Sequence, residues 1–210
     1  MSDREVLSLK EKAYEIIKRK ILNCELQPGD VIDKNVLIEE LGVGRTPIRE
    51  ALSNLEQENL VVIMPRRGVV VSNISINELG QIYTVREIIE PAMIRLALPN
   101  IGEGELNEFR ELFNSYIQMD ILEQTTADSR FHQFLASKTE NSYIIRLMDN
   151  LHSQNQRLRI ITSKVPDRMR NSSEEHLQII EKLMTKDADG AEALMRKHIA
   201  ISKKAAFSVL

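Results

Sequence analysis

The sequence predicts a mainly α-helical chain in two parts: a small helical domain carrying one β-hairpin, then an all-α antiparallel helical bundle. Composition is the first reason. Of 210 residues, 42% are hydrophobic but only 4% aromatic, with no Trp, a balance that suits helix bundles better than sandwiches or barrels. The second is that strand signals are confined to residues 61–71, and the third is that apolar residues from Ser75 onward recur only at helical spacing.

The first helix runs from about Leu9 to Cys24, with Leu9, Ala13, Ile16, Ile17 and Ile21 at helical spacing and Lys18-Arg19-Lys20 in the last turns, where cations suit the dipole. Pro28-Gly29 ends it. A short second helix starts after Asp33 as N-cap, carries Val36, Leu37 and Leu41 inward, and stops at Gly42. Helix three begins at Arg45, with Pro47 in its first turn and Ile48, Leu52 and Leu55 on one face. Asn59 is a tolerable left-handed terminator. Val61 to Met64, the turn Pro65-Arg66-Arg67-Gly68 and Val69 to Val71 then read as a two-stranded hairpin. Beyond a hinge near Ser72 to Asn77, helical periodicity covers 75–98, 103–119, 122–138, 141–164, 172–186 and 188–207, with breaks at Pro99 to Gly104, around Thr125-Thr126, at Thr139 to Asn141, at Pro166 and at Lys186 to Gly190. The expected domains are 1–74 and 75–210.

The longest apolar run, Leu60 to Met64, is far below the roughly 20 residues that cross a bilayer, and no charged start followed by a long apolar stretch opens the chain. No membrane association and a cytoplasmic location are expected. One cysteine, Cys24, excludes an internal disulfide and a cysteine zinc site; it reads as a small apolar helix residue. The formal net charge of -3 does not advertise a nucleic-acid binder, and residues 1–74 hold 11 Lys and Arg against 12 Asp and Glu. A case for DNA therefore rests on where the arginines stand.

Helix, short linker, second helix and hairpin is the winged helix-turn-helix plan, in which the second helix of the pair enters the major groove. Arg45 and Arg49, four apart, leave the same helix face, and Arg bonds guanine or phosphate with two prongs. Thr46 adds a hydroxyl. At the hairpin tip Arg66 and Arg67 stand beside Gly68, which lets backbone approach a groove or phosphates closely. Each arginine taken singly could be a solvated face; their ordered combination points to double-stranded DNA.

The run from Gly42 to Leu52 (GVGRTPIREAL), with Leu55-Glu56, Arg67-Gly68-Val69 and the upstream Leu26 to Asp30, closely resembles the DNA-binding domain of the GntR family of bacterial transcription regulators. The resemblance implies operator contacts from Arg45, Thr46 and Arg49 and, on the wing, from Arg67-Gly68. Gly44 stands where the family usually has a Ser or Thr cap, Asn59 where it usually has Gly, and Asn35 where many members carry a basic contact residue. Gly and Asn suffice physically at the first two positions; Asn35 is not placed among the contacts.

Asp128 and His132, four apart on the helix expected over 122–138, put a carboxylate and an imidazole on one face, able to grip one divalent ion. His176 and His198 lie on later helices that a bundle could turn inward, while His152 is left over. For a lone Asp-x-x-x-His pair a surface or satisfied imidazole would be the simpler account. The constellation, however, resembles the ligand-binding domain of the FadR subfamily of the same family. There such a pair and two later histidines hold a metal, which here implies Asp128, His132, His176 and His198. The run Tyr83 to Glu90 resembles that domain's opening helix. This donor set suits Zn, Ni, Mn or Fe and does not choose among them.

The resemblance also implies a small organic acid effector. Arg86 is a candidate carboxylate clamp, or else an i,i+4 partner of Glu90; Arg157 and Arg159 are further candidates, and Glu174-Glu175 reads as a helix N-terminal acidic pair. The expectation is a non-enzymatic homodimeric regulator, a repressor by the commoner arrangement, whose binding to operator DNA responds to a carboxylate metabolite. A metal-dependent enzyme acting on a small organic acid with an appended winged-helix module is the alternative. It lacks any nucleophile elbow, phosphate loop or His-Glu-x-x-His helix. A helical protein-interaction module would leave the arginine placement idle.

Overall fold

The structure, a computed structural model, describes residues 8–73, 75–163, 165 and 167–209, without the side chains of 152–155 and 161. The His152 side chain and the break expected at Pro166 lie outside the described residues. The chain divides into two compact units between residues 74 and 75.

The first unit holds α1 (Leu9–Leu22), β1 (Val31–Ile32), α2 (Lys34–Leu41), α3 (Arg45–Gln57), β2 (Val61–Met64) and β3 (Gly68–Val71). Local chemistry sets these boundaries. Ser8 and Glu11 form a reciprocal capping box on α1. Asp33 caps α2 by accepting from Asn35 N at 2.8 Å, and Gly42 ends it at φ +62°, a left-handed conformation that Gly adopts without a Cβ penalty. Asn59 takes the same region at φ +58°, with Leu60 N donating to Leu55 O at 2.9 Å to close α3. Ala13, Ile17 and Ile21 of α1 pack with Ile48, Leu52 and Leu55 of α3, under Val61, Val69 and Val71. Each fully buried Ile or Leu contributes roughly 1.5–3 kcal/mol.

Four sequence expectations need correction here. The hairpin is part of a three-stranded antiparallel sheet of order β1-β3-β2, in which Val31 pairs with Val70 and Ile32 with Val69. Two residues are too few to show alternation, so β1 left no pattern to read. Cys24 is not helical: α1 ends at Leu22 and Cys24 turns left-handed at φ +55°. Val36 does not point inward but is 57% exposed, and Ile38 packs on the core from α2 instead. Leu9, on the outer side of the first turn of α1, is also exposed.

The second unit is all helical among the described residues: α4 (Ile76–Ala97), α5 (Glu103–Asn114), α6 (Ile121–Lys138), α7 (Ser142–Thr162), α8 (Arg168–Met184) and α9 (Ala188–Phe207), with single 3-10 turns at Leu98–Asn100 and Tyr116–Gln118. Helix α4 packs on α6 and α9, α8 on α5 and α9, and α6 on α7. An aromatic cluster of Phe109, Phe113, Phe131 and Tyr116 fills the centre. The interruption placed around Thr125-Thr126 is absent. Both residues lie within α6, where Thr125 Oγ1 donates back to Leu122 O at 3.0 Å, and the real start is the Asp120–Glu123 capping box. Helix α8 begins at Arg168 and not near 172. Pro91 sits inside α4, buried; lacking an N–H it leaves Glu87 O without its helical donor, and Arg196 Nη1 of α9 supplies one at 3.4 Å.

Candidate functional site

In the first unit, α2, α3 and the β2-β3 turn border one open groove. Arg45, Thr46 and Arg49 are exposed along the outer side of α3, opposite its buried Ile48 and Leu52, and Gly68 closes the groove at the wing. Lys34 and Asn35, from the first turn of α2, line the same groove. Arg66 and Arg67 are exposed at the turn, where Arg67 N donates to Met64 O at 3.2 Å and Arg66 is forced to φ +66°. Gly44 is the N-cap of α3 and offers no side-chain acceptor, so the first-turn N–H groups of the helix are not capped by a side chain. Lys34 was not singled out by sequence; its neighbour to Asp33 at a helix start was the available signal.

In the second unit the structure gathers Asp128 and His132 of α6, His176 of α8 and His198 of α9, all buried, with one ligand atom from each lying within 4.8 Å of the others. His132 Nε2 is 3.3 Å from His176 Nε2, and Asp128 reaches His176 Nε2 at 3.5 Å and His132 Nε2 at 4.0 Å. Nitrogen donors bound at about 2.0–2.1 Å to one tetrahedral ion stand roughly 3.3 Å apart, so the set fits a small divalent cation.

The outer nitrogens support the same fit. His132 Nδ1 is 2.6 Å from Glu90 Oε2, and His198 Nδ1 is 2.6 Å from Glu175 Oε2. A carboxylate on Nδ1 draws the proton there and leaves Nε2 with a lone pair facing inward, the arrangement that carboxylates impose on metal-ligating histidines. Phe113 stacks on His176 at 4.6 Å between ring centroids and fixes its plane. Neither carboxylate was assigned this role from the sequence. Glu175, read there as part of a helix N-terminal pair, lies seven residues into α8 and also pairs with Arg168 at 3.3 Å.

Burial opposes charge throughout the site, and paired groups decide who keeps it. Asp128 is desolvated, yet the Arg159 guanidinium beside it holds its carboxyl well below the usual carboxylate range. Glu90 is likewise desolvated, but Arg86 and His132 hold it well below that range. Burial, together with the other imidazoles, pushes His176 and His198 well below the ordinary imidazole value, so both are neutral donors near neutral pH.

Beside this group lies a small cavity lined by Tyr83, Arg86, Tyr116, Arg159, Arg168 and Ser202, with Asp128 and His198 at its edge. Arg86 answers both sequence readings: its Nε pairs with Glu90 on the next turn, and the side chain also borders the cavity. Arg159 lines it too and pairs with Asp128, while Arg157 is buried but is not part of the lining. Arg168 was missed by sequence, although Asp167 before it is a residue type that caps helices; its side chain makes no capping hydrogen bond here.

Residues 9–71 match the model for bacterial regulatory proteins of the gntR family, and residues 81–201 match that for the FCD domain, the FadR-type C-terminal domain. The chain belongs to the GntR family. Among relatives of this regulator, the HTH-type transcriptional repressor RspR of Escherichia coli K12 is 26% identical over 195 residues, covering 90% of this chain and 85% of that protein. The gluconate operon transcriptional repressor of Bacillus licheniformis is 31% identical over 139 residues, 64% of this chain and 57% of the relative. In fold, E. coli McbR/YncC superposes with a TM-score of 0.84 at 20% identity, covering 97% of this chain and 99% of that one. A GntR regulator from Rhodococcus sp. RHA1 gives 0.86, also at 20% identity, covering 97% and 100%. This GntR-family chain is a transcription regulator and not an enzyme: the families it matches and the relatives named here are transcription regulators. No described helix is long and apolar enough to cross a membrane.

Proposed function

We propose that this GntR-family protein is a cytoplasmic, homodimeric repressor whose hold on a pseudo-palindromic operator responds to a small organic acid bound beside a metal ion. Arg45, Thr46 and Arg49 would read the major groove from α3, with Arg66, Arg67 and Gly68 contacting flanking backbone or minor groove. Two copies would present two recognition helices at one fixed spacing, matching inverted half-sites.

The observation that carries the effector half is the buried Asp128, His132, His176 and His198 group opening onto a cavity with three guanidinium groups. These four residues would hold a divalent cation, which, when bound, supplies a Lewis-acidic positive centre for a carboxylate oxygen. Arg86 would orient that carboxylate, and Glu90 and Glu175 keep the imidazoles in their binding tautomer. Effector binding shifts operator occupancy only through different affinity for the DNA-competent and DNA-free states, and the hinge near residue 74 is the proposed route.

Selection of bound duplexes from a random pool at two salt concentrations tests the DNA half. Inverted half-sites at constant spacing are expected; salt-sensitive binding without a shared sequence would refute it. Elemental analysis of the purified protein, wild type against His198→Ala, tests the metal half, with loss of the ion expected in the variant.

A further inference from the structure

The charges around the cavity say how many negative charges its ligand carries, an inference that rests on the metal-and-acid reading above. Three guanidinium groups line the cavity and each already has a carboxylate: Arg86 with Glu90, Arg159 with Asp128, and Arg168 with Glu175. These pairs cancel. Ligating imidazole nitrogens give up their protons, so the three histidines add nothing. A divalent cation held there leaves two positive charges uncompensated in a buried site, where isolated charge is costly. A monocarboxylate removes half of that excess and a dianion removes it all.

Donors for a second anionic group are in place. The Tyr116 side chain is fully buried and lines the cavity, and its hydroxyl has no hydrogen-bond partner among the described residues. A buried donor left unpaired is rare and unfavourable unless a ligand meets it. Burial pushes this phenol's pKa up, which keeps it protonated and able to donate. Arg86 spends only Nε on Glu90, so the two terminal nitrogens of its fork bond no described residue. Arg168 is braced by Glu175 and by Ser202 Oγ at 2.7 Å, which fixes the guanidinium at the cavity wall. The cavity is only ≈ 30 Å³, room for about two water-sized atoms, so the part of the ligand inside it is small.

We propose that the cavity takes a compact dicarboxylate, one carboxylate reaching the Asp128 and histidine group, the other, whose two oxygens match that space, received by Tyr116, Arg86 and Arg168. Inorganic phosphate offers the same charge from another source and is a separate arm of the test.

The experiment is calorimetric titration of full-length, zinc-loaded protein with malonate, propionate and phosphate, with zinc stoichiometry measured on the same sample. Malonate is expected to bind about tenfold or more tighter than propionate, the worth of hydrogen bonds to a charged group. Tyr116→Phe, which removes one oxygen and no packing, is expected to weaken malonate by about tenfold and leave propionate unchanged; Arg168→Gln should act in the same direction. Equal affinity for malonate and propionate at one zinc per chain overturns the dicarboxylate inference alone, as does an equal effect of Tyr116→Phe on both acids. Phosphate binding more tightly than malonate overturns it too. Less than one zinc per chain removes the metal reading, and this inference goes with it.

Discussion

Glu90 Oε2 lies 2.6 Å from Nδ1 of His132, and the other oxygen of the same carboxylate pairs with Nε of Arg86 one helical turn away. One buried side chain thus ties a cavity-lining guanidinium to a member of the candidate metal group. A ligand that draws Arg86 toward itself alters the electrostatic hold on Glu90, the carboxylate that sits against His132 Nδ1. Metal and acid sites coupled this way respond to one another without any large movement.

Glu90→Gln keeps the shape of that link and removes its charge. Arg86 is then a buried cation without a counter-ion, a situation that typically costs about 3–5 kcal/mol. Denaturant unfolding of metal-depleted protein should show that loss, and metal affinity should fall by roughly 10–100-fold as His132 loses its orienting carboxylate. Adding Arg86→Met should return more than half the stability without restoring metal affinity. A single variant as stable as the wild type would show that Glu90 does not balance Arg86.

Pro91 and Arg196 make a second testable pair. The missing N–H of Pro91 leaves Glu87 O to be satisfied by Arg196 Nη1 at 3.4 Å. Pro91→Ala should restore the helical bond and raise stability, since Pro in a helix interior costs about 3 kcal/mol relative to Ala before any local compensation. Arg196→Ala should then cost less in the Pro91→Ala background than in the wild type, with a coupling of about 0.5–1.5 kcal/mol in a double-mutant cycle of melting curves. Strict additivity would mean that the arginine does not serve this carbonyl.

How much was legible in the sequence follows the range of the interactions. The helix ends of the first unit rest on local chemistry, so Asp33, Gly42, Pro47 and Asn59 announced them. Strand β1 exists only because β3, nearly forty residues later, offers it hydrogen bonds, and two residues carry no period. Thr125-Thr126 looked like an interruption because β-branched residues are weak helix formers, but eight buried side chains on α6 outweigh that preference. Asp128 and His132 were visible as an i,i+4 pair. Glu90, Glu175 and Arg168 were not visible in their roles, because each acquires its partner across the bundle: Glu90 on His132, Glu175 on His198, Arg168 on Ser202.

The wing turn holds strain that can be released. Arg66 adopts φ +66°, a left-handed conformation that costs a residue with a Cβ roughly 1–2 kcal/mol. Arg66→Gly should therefore leave the fold intact and raise its stability by up to about 1 kcal/mol, read as a higher melting temperature. The same change removes a cation from the turn, so binding to a duplex of any sequence should weaken. Higher stability with unchanged DNA affinity would take Arg66 out of the contact set.

Under the proposed docking, in which Arg49 reads bases and Arg67 meets flanking backbone or minor groove, the two should fail in different ways. Both are exposed, so neither substitution by Ala removes core packing. Arg49→Ala from the outer side of α3 should cost about 1–3 kcal/mol per half-site and relax sequence preference at one position of each half. Arg67→Ala at the wing should weaken all sequences alike and lower the slope of log K against log salt by about one per copy bound. Binding measured against the selected operator and a scrambled duplex across a salt series separates these outcomes. Metal content should match the wild type in both variants, since no ligand of the second unit is touched. Equal loss on both duplexes for Arg49→Ala would move that residue from base reading to backbone anchoring.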